Sequence, residues 1–577
     1  MPVLNTDIAR IFTRIADLLE IQGANPFRIR AYRAAARTLS DQPQSVAVML
    51  KEGKDLGELP GIGKDLAGKI EEVVETGTLS MLKELEKETP AELAELLSLG
   101  QVGPKKAAIL HRELGIRNMK ELEEAAGCGK VRELKGFSEK TEQKILEEIK
   151  RFTGAEKRIK LAEAEQIVRP LLEYLERIDG VRDVKVAGSF RRRRETVGDL
   201  DILATCESGP AVMDRFVAYE DVREVLARGE TKSSVLLRSR FQVDLRVVPQ
   251  AAFGAALHYF TGSKDHNVAI RTIGVKKGLK ISEYGIFKGE GEKEMRVGGQ
   301  TEEEVFAAVG LPYIEPELRE NRGEIEAAAK GRLPRLIALE DIRGDLHAHT
   351  RETDGRSTLE EMAEAARALG YGYLAITEHS RSVTIARGLD PKRLEMQIEA
   401  IERLADRYPG LRILKGIEVD ILEDGSLDLP DQVLAKLDLR VCSVHSRFAL
   451  SAEKQTERII RAMDNPLFNI LGHPTGRLIG ERDPYAVDME KIMAAAAERG
   501  CFLELNAHPD RLDLTDFHCR MAREMGVKVA VSTDAHYTED LKFIRFGIDQ
   551  ARRGWLEKDD VLNTRELDDL LALLKRS

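Results

Sequence analysis

Cysteine is scarce in this 577-residue chain, and the five present (Cys128, Cys206, Cys442, Cys501, Cys519) are scattered, with no C-x-x-C pair. That pattern argues against cysteine-bound zinc and fits a reducing compartment. No apolar run is long enough to span a bilayer. The start, Met1-Pro2-Val3-Leu4-Asn5-Thr6-Asp7, lacks the basic and apolar parts of a signal peptide, so the expectation is a soluble, cytoplasmic protein. An excess of positive charge is missing too. With a formal net charge of −10, any nucleic-acid surface must be a local patch rather than a general basic coat. The length excludes a single core and points to about three to five domains. Histidine, by contrast, is crowded. Eight of the eleven lie beyond residue 340 (His347, His349, His379, His445, His473, His508, His518, His536), which places a metal centre in the C-terminal part.

The stretch Gly188-Ser189-Phe190-Arg191-Arg192-Arg193-Arg194-Glu195-Thr196-Val197-Gly198-Asp199-Leu200-Asp201-Ile202-Leu203 organises the middle of the chain. A short apolar run, Val184 to Ala187, reads as a strand entering a turn at Gly188. Asp-Leu-Asp reads as a second strand, with Asp199 and Asp201 on one face and Leu200 and Ile202 in the core. Two carboxylates side by side repel unless a cation lies between them. A third acid comes from Phe241-Gln242-Val243-Asp244-Leu245-Arg246-Val247, where alternation puts Asp244 and Arg246 opposite the apolar face. If the strands are neighbours, three carboxylates converge on hard divalent cations that also hold substrate phosphates. A solvated sheet edge is the competing reading of Asp-x-Asp alone. Gly-Ser, the arginines and the third acid favour a nucleotidyl-transfer site, the palm of a polymerase-like enzyme.

Upstream, residues 1–85 read as amphipathic helices, with Ile8, Ile11, Phe12, Ile15, Leu18 and Leu19 on one face. Leu59-Pro60-Gly61-Ile62-Gly63-Lys64 closes one helix and opens another. Its glycines let backbone N–H groups reach a phosphate. This is a helix-hairpin-helix signature, used for sequence-independent grip on DNA, although a tight inter-helix turn would look the same. Two weaker copies follow. Leu99-Gly100-Gln101-Val102-Gly103-Pro104-Lys105-Lys106 keeps the second glycine, and Leu134-Lys135-Gly136-Phe137-Ser138-Glu139-Lys140 keeps the first. Downstream of the palm, Tyr259-Phe260-Thr261-Gly262-Ser263 offers an aromatic wall before a permissive turn, or simply two core aromatics at a helix end. The segment from Pro316 to Arg335 reads as a linker with a helix, its alternating charges a solvated surface.

From residue 340 apolar runs repeatedly end in a ligand-type residue and are followed by a helix. They end at Asp345-Leu346-His347-Ala348-His349, Thr377-Glu378-His379, Ile417-Glu418, Val444-His445, Gly472-His473, Glu504-Leu505-Asn506 and Asp534-Ala535-His536. Seven such runs predict a (β/α) barrel, whose reactive residues gather at the C-terminal ends of the strands. Mixed imidazole and carboxylate ligands suit Zn²⁺, Mn²⁺ or Fe.

Gly188-Ser189, Arg192, Gly198-Asp199-Leu200-Asp201, Val243-Asp244-Leu245-Arg246 and Tyr259-Phe260-Thr261-Gly262-Ser263, in that order, resemble the family X DNA polymerases. The resemblance covers residues 1 to about 320. It implies a fold of an α-helical helix-hairpin-helix N-terminal region followed by an α+β nucleotidyltransferase palm and thumb. By the same resemblance Asp199, Asp201 and Asp244 are catalytic and bind Mg²⁺ or Mn²⁺. Gly188, Ser189, Arg192 and Gly198 hold the triphosphate, Tyr259, Phe260 and Gly262 face the sugar, and Asn267 and Arg271 lie near the nascent base pair. Gly61, Gly63, Lys64, Gly103 and Lys105 are the DNA-binding candidates. Lys69 falls where animal members place a Schiff-base lysine, with Asp65 and Arg28 where neighbouring lysines of that pocket lie.

The C-terminal part resembles the PHP (polymerase and histidinol phosphatase) domain, a distorted (β/α)7 barrel with a three-metal cluster. The implied ligands are His347, His349, Asp354, His379, Glu418, His445, His473, Asp534 and His536. The expected domains are 1–85 lyase-like helical, 86–155 helix-hairpin-helix fingers, 156–250 palm, 251–318 thumb, 319–340 linker and 341–577 PHP. The combination implies a monomeric DNA polymerase acting on gapped or primer-template DNA with dNTPs. Its role is filling short gaps in base excision repair, with 3′-5′ exonuclease and possible AP endonuclease or 3′-phosphatase activity in the barrel. Two rivals remain: a template-independent nucleotidyltransferase fused to a small-molecule phosphoesterase, and a non-catalytic DNA-binding scaffold. The hairpins speak against the first, and the full sets of acids and ligands against the second.

Overall fold

The computed structural model describes all residues except 1–4, 41–45, 52, 89–92, 94–95, 98, 100, 155–157, 290–293, 405–406 and 577. The chain divides into two compact units, Met1–Arg158 and Ile159–Ser577.

The first unit is helical. The helix Asn5–Ile21 buries Ile8, Phe12, Ile15, Leu18 and Leu19 against the basic helix Pro26–Ser40, where Phe12 meets Tyr32 edge-on. Each of the first two hairpins opens a helix at a glycine. Gly63 caps Lys64–Thr76, and Gly103 caps Pro104–Leu114, in neither case with a side-chain hydrogen bond to the helix N–H groups. The third differs: the Ser138 hydroxyl accepts from the Thr141 N–H at the start of Glu139–Gly154. Gly100, part of the second hairpin pattern, lies outside the described residues.

Gly61 and Gly63 are glycines for different reasons. Gly61 has φ +74°, a left-handed conformation that side chains resist. Gly63 has φ −84°, and a Cβ built there meets nothing within 4 Å; the same open space surrounds Gly103. The fold of this unit does not require glycine at those two positions.

The second unit begins with the palm, a five-stranded sheet ordered Val181–Val186, Leu200–Cys206, Gln242–Val247, Lys232–Leu237, Val222–Arg228. The two acid-bearing strands are parallel neighbours in a register that sets Asp201 directly beside Asp244. The strand before Gly188 runs from Val181, and the turn that follows it is a short helix, Gly188–Arg191. Beyond the sheet, helices Phe253–Thr261 and Lys264–Lys276, a small three-stranded sheet and helix Glu302–Val309 form the thumb region.

The barrel has seven parallel strands in sequential order, from Gly344–Asp345 to Val529–Ser532. A parallel bridge between Ala348 and Ala535 brings its first and last strand ends together, with the His349 N–H donating to the Ala535 carbonyl at 2.8 Å. A large apolar layer, including Leu374, Ile417, Leu471 and Val531, packs between strands and outer helices. A smaller one, including Leu346, Leu439 and Ile470, fills the barrel interior. The palm is not independent of it: barrel residues Leu512 and Phe546 are buried in the same apolar cluster as Leu171, Ile202 and Leu245.

The charged segment 316–335 is solvated, as its alternating charges predict, only in part: Arg322, Glu326, Lys330, Arg332 and Arg335 are exposed, whereas the charges from Glu317 to Glu324, Arg322 apart, are turned inward. Arg319 is fully buried, donating from Nε to the Ile314 carbonyl and from Nη1 to Glu302. Glu324 is buried against His266 at 2.7 Å. Glu317 pairs with Arg552, and Glu320 with both Arg192 and Arg553. Glu317, Arg319 and Glu320 leave water because opposite charges meet them, and Glu324 because His266 and the Asn321 and Arg322 N–H groups bond it.

The Glu302 carboxylate lies between two guanidiniums, Arg191 and Arg319. Burial alone would raise its pKa, but the hydrogen bonds and charges of those arginines outweigh it and hold the group at about 2 against an ordinary 4.5. A folded value below the unfolded one means the contribution is whole above about pH 4.5 and is lost as pH falls toward 2. Glu302→Gln should therefore destabilise this unit by about 3 kcal/mol at pH 7, since it leaves two buried cations short of a partner. The gap in melting temperature from wild type should narrow as pH drops below 4.5, the ordinary value of the group. Equal melting temperatures at pH 7 would refute this account of the pair.

Candidate functional sites

In the palm, the Asp201–Asp244 register and the exposed Asp199 just ahead of the same strand bring the three predicted acids to one sheet end. Gly188, at φ +64°, lets the preceding strand turn tightly over them, and a Cβ there would lie 3.2 Å from Asp201 Oδ2. Burial, then the Asp199 and Asp244 charges, push Asp201 up to about 6. Asp244 moves the other way despite its burial, because Lys232 lies 2.9 Å from Oδ2 and Gln242 donates to Oδ1 at 3.0 Å. Two carboxylates of one site with opposed shifts mark a place where added positive charge is favoured.

Around this edge, Ser189 and Arg192 follow Gly188 on the short helix and its end, and Gly198 precedes Asp199. Arg192 is buried, with Nε on Glu320 at 3.1 Å and Nη1 on the Thr261 carbonyl. Tyr259 and Phe260 end the helix Phe253–Thr261 before Gly262, their rings edge-to-face. Arg246 stacks over Phe260 at 4.3 Å. Asn267 donates to the Tyr259 carbonyl at 2.6 Å, which fixes the aromatic pair, and Arg271 is exposed on the next helix.

In the barrel the loops after the strands bring predicted ligands into overlapping groups. His349, Asp354, His379 and His536 form one, His347, His349 and Asp534 a second, and His379, Glu418 and His445 a third, the ligand atoms of each within 4.8 Å of one another. His473 joins through Nε2, 2.9 Å from Glu418 Oε1. The donor set passes a simple test of fit for cations. His349 Nδ1 and His473 Nδ1 are buried with no hydrogen-bond partner among the described residues, and His379 Nδ1 and Glu418 Oε2 meet at 2.7 Å inside the same cluster. Polar atoms left so are costly unless something binds them, and nitrogen and oxygen donors converging in this way bind metal. The titration pattern agrees. Burial with neighbouring His536 and His379 drives His349 down to about 3, while Glu418 and Asp354 hold His379 up near 11 against its burial. His508 and His518 belong to none of these groups.

The supporting carboxylates have no distinct mark in the sequence. Glu504 bonds His347 Nδ1 at 2.6 Å and accepts from the His473 N–H. Asp420 bonds His445 Nδ1 at 2.8 Å. Glu378, pushed up to about 7 by burial, is held by Thr350 and Thr353 and so anchors the loop that carries Asp354. Asn506 donates to Asp534 at 3.1 Å. The one available signal was alternation: Glu504 and Asn506 share a face of an otherwise apolar strand. These partners fix which ring nitrogen faces the centre.

In the first unit Lys69 is salt-bridged to Asp65 at 2.5 Å, and its ring contact is with Tyr32 at 5.4 Å. Although burial alone would lower its pKa, these partners raise it and favour the ammonium, the form that does not attack an aldehyde.

A nucleotidyltransferase palm and thumb behind helix-hairpin-helix units, joined to a PHP barrel, defines a class of DNA-handling enzyme. Comparison with known families gives the same parts: a helix-hairpin-helix domain over residues 3–79 and a SAM-like helix-hairpin-helix tandem over 93–151. The DNA polymerase beta palm follows at 158–241, the DNA polymerase beta thumb at 256–320 and the PHP domain at 345–508. Over 573 residues, 99% of both chains, the sequence is 40% identical to the DNA polymerase/3′-5′ exonuclease PolX of Bacillus subtilis (strain 168). The barrel alone resembles smaller proteins. A probable phosphatase of Thermoanaerobacter sp. (strain X514) is 32% identical over 38% of this chain and 89% of its own, and one of Syntrophotalea carbinolica is 26% identical over 40% and 95%. The chain belongs to the family X DNA polymerases that carry a C-terminal PHP domain.

Removing a supporting carboxylate should loosen the barrel centre without touching a ligand. Glu504→Gln should lower metal affinity about 10- to 100-fold, read as metal retained after dialysis against a weak chelator. Unchanged retention would mean that Glu504 does not orient His347.

Proposed function

We propose that this protein extends a primer 3′-OH with dNTPs on gapped DNA, as a repair polymerase, and hydrolyses 3′ ends in its PHP barrel. The observation that carries the reading is the in-register pairing of Asp201 with Asp244, with Asp199 beside them, on a chain alike over its whole length to the Bacillus enzyme. Mg²⁺ or Mn²⁺ held by the three carboxylates would neutralise phosphate charge and favour ionisation of the attacking hydroxyl. Asp244 would accept the proton of the 3′-OH. Ser189 and Arg192 grip the triphosphate, which requires Arg192 to exchange its contacts with Glu320 and the Thr261 carbonyl for phosphate oxygens. Tyr259 and Phe260 give the sugar a flat wall, and Arg271 faces the nascent pair from its exposed position.

In the barrel the nine-residue set of His347, His349, Asp354, His379, Glu418, His445, His473, Asp534 and His536 would hold a cluster of Mn²⁺, Zn²⁺ or Fe that activates water against a phosphodiester. AP-site cleavage and 3′-phosphate removal are both phosphoester hydrolysis, the first of an internal diester beside an abasic site and the second of a terminal monoester. The resemblance of the barrel to probable phosphatases supports that extension. The DNA grip is assigned to Gly61, Gly63, Lys64, Gly103 and Lys105. Gly63 and Gly103 favour it most, because no described residue occupies the space their missing side chains leave.

Two experiments test this reading. Asp201→Ala should abolish dNTP addition on labelled gapped DNA while 3′ hydrolysis continues, and His349→Ala should do the reverse. Loss of a metal-bridging carboxylate removes both ion placement and charge neutralisation. Full extension by Asp201→Ala would sink the polymerase assignment, and undiminished 3′-5′ degradation by His349→Ala the nuclease one. Separately, Gly63→Val with Gly103→Val should keep the helical fold by circular dichroism yet weaken binding to gapped DNA about tenfold whatever its sequence, because phosphate contacts carry no base information. Unaltered affinity would make these hairpins structural turns only.

A further inference from the structure

The four consecutive arginines after Phe190 do not all face the polymerase edge. Arg191 bonds Thr261 and Glu302 on the thumb side. Arg193 turns the other way, toward the barrel. At φ +55° it occupies the left-handed region that non-glycine residues avoid at a cost of about 1 kcal/mol. Its guanidinium compensates with Nε 2.8 Å and Nη2 2.5 Å from Asp549 Oδ2, and Nη2 2.6 Å from Glu165 Oε1. Asp549 belongs to the barrel helix Ile544–Arg553. The last residue of that helix, Arg553, reaches the same turn from below. Its Nη1 donates to the Arg192 carbonyl at 2.7 Å and to Glu320 Oε1 at 3.0 Å, and Nη2 donates to Asp516 at 2.8 Å. Glu320 Oε1 is also the acceptor of Arg192 Nε. Beyond the turn, Arg477 of the barrel clamps Glu195 at 2.6 Å. Phe546, on the same barrel helix, is buried in the palm's apolar core.

The turn that places Gly188, Ser189 and Arg192 is thus held at its backbone and at two side chains by the barrel. We propose that Asp549 and Arg553 are positioning residues for the nucleotide triphosphate at the polymerase site, so that dNTP affinity is set from the PHP barrel. This rests on the polymerase reading above. Asp549 fixes the left-handed Arg193, which sets where the preceding Arg192 leaves the helix. Arg553 holds the Arg192 carbonyl and shares Glu320, the carboxylate that Arg192 must leave to meet phosphate. Neither residue is a ligand of the barrel centre, so the effect should be confined to one activity.

The test is steady-state extension of gapped DNA by the full-length protein, with 3′ hydrolysis and melting temperature measured alongside. Asp549→Ala should raise the KM for dNTP about tenfold while kcat and the rate of 3′ hydrolysis stay within about twofold of wild type. Asp549→Glu, which keeps the charge, should recover most of the loss. Arg193→Ala with Asp549→Ala should be no worse than Arg193→Ala alone, as expected of residues acting through one contact. Asp549→Asn, isosteric and milder, provides the same reading should the alanine variant fold poorly. An unchanged dNTP KM in a folded variant would overturn the proposal. So would an equal fall in both activities with a lower melting temperature, which would make the contact merely structural. A wild-type protein that extends no primer would overturn the polymerase reading, and this proposal with it, and is distinguished because it appears before any variant is compared.

Discussion

Burying ionisable groups is among the most costly things a fold can do, and this one gathers them densely at the mouth of the barrel, where each is tolerated only because opposite charges meet it. His347, His349, Glu418 and His473 are all buried, with His347 against Glu504 at 2.6 Å, His349 against Asp534 at 3.1 Å and His473 against Glu418 at 2.9 Å. Everything nearby is arranged to tolerate that: Glu504 and Asp420 behind the rings, the threonines around Glu378, the loop holding Asp354. A site built this way is poorly balanced by protein alone and well balanced with cations in it. The palm handles the same constraint differently. Its carboxylates stand at a sheet end, Asp199 exposed and Asp244 buried, and Lys232 already offers a positive charge to Asp244.

The same rule governs the junction between palm and barrel. Arg193, Arg477, Arg552 and Arg553 all meet carboxylates across it, and Lys160 meets Asp510 and Glu481. Isolated surface pairs contribute little, but several of these are largely removed from water and share partners. Together with Leu512 and Phe546 in the palm core, they make the two catalytic regions parts of one body rather than beads on a string.

Much of this was legible in the sequence, because strands announce themselves by alternation and this barrel ends its strands in histidine or acid. The seven runs are the seven strands, and the nine side chains singled out along them come together. Acids in phase on two short strands were legible, but that the strands are neighbours was a condition the sequence left open and the register Asp201–Asp244 meets. What escaped was pairing at a distance. Nothing local marks Arg193 as the partner of Asp549, so four arginines in a row read as a single basic feature. Segment 316–335 read as solvated because alternating charge is the common mark of a surface. Only the positions of Glu302, Arg192 and Arg553 reveal that Arg319 and Glu320 are turned inward, while the charges from Glu326 on are exposed as read. Glu504 was visible only as the polar residue of a strand, its service to His347 hidden until the first and sixth strands were seen in one ring.

The bridge between Ala348 and Ala535 has a consequence for how the molecule comes into being. It ties His347 and His349, at the barrel's opening strand, to Asp534 and His536, which are made much later in the chain. Chains emerge N-terminus first and domains tend to fold as they appear. The palm strands bearing Asp199, Asp201 and Asp244 are therefore available long before the barrel can close. A nascent or prematurely ended chain carries every polymerase carboxylate and no complete metal cluster. It also lacks the helix that braces the arginine turn, so closure of the barrel completes both regions together.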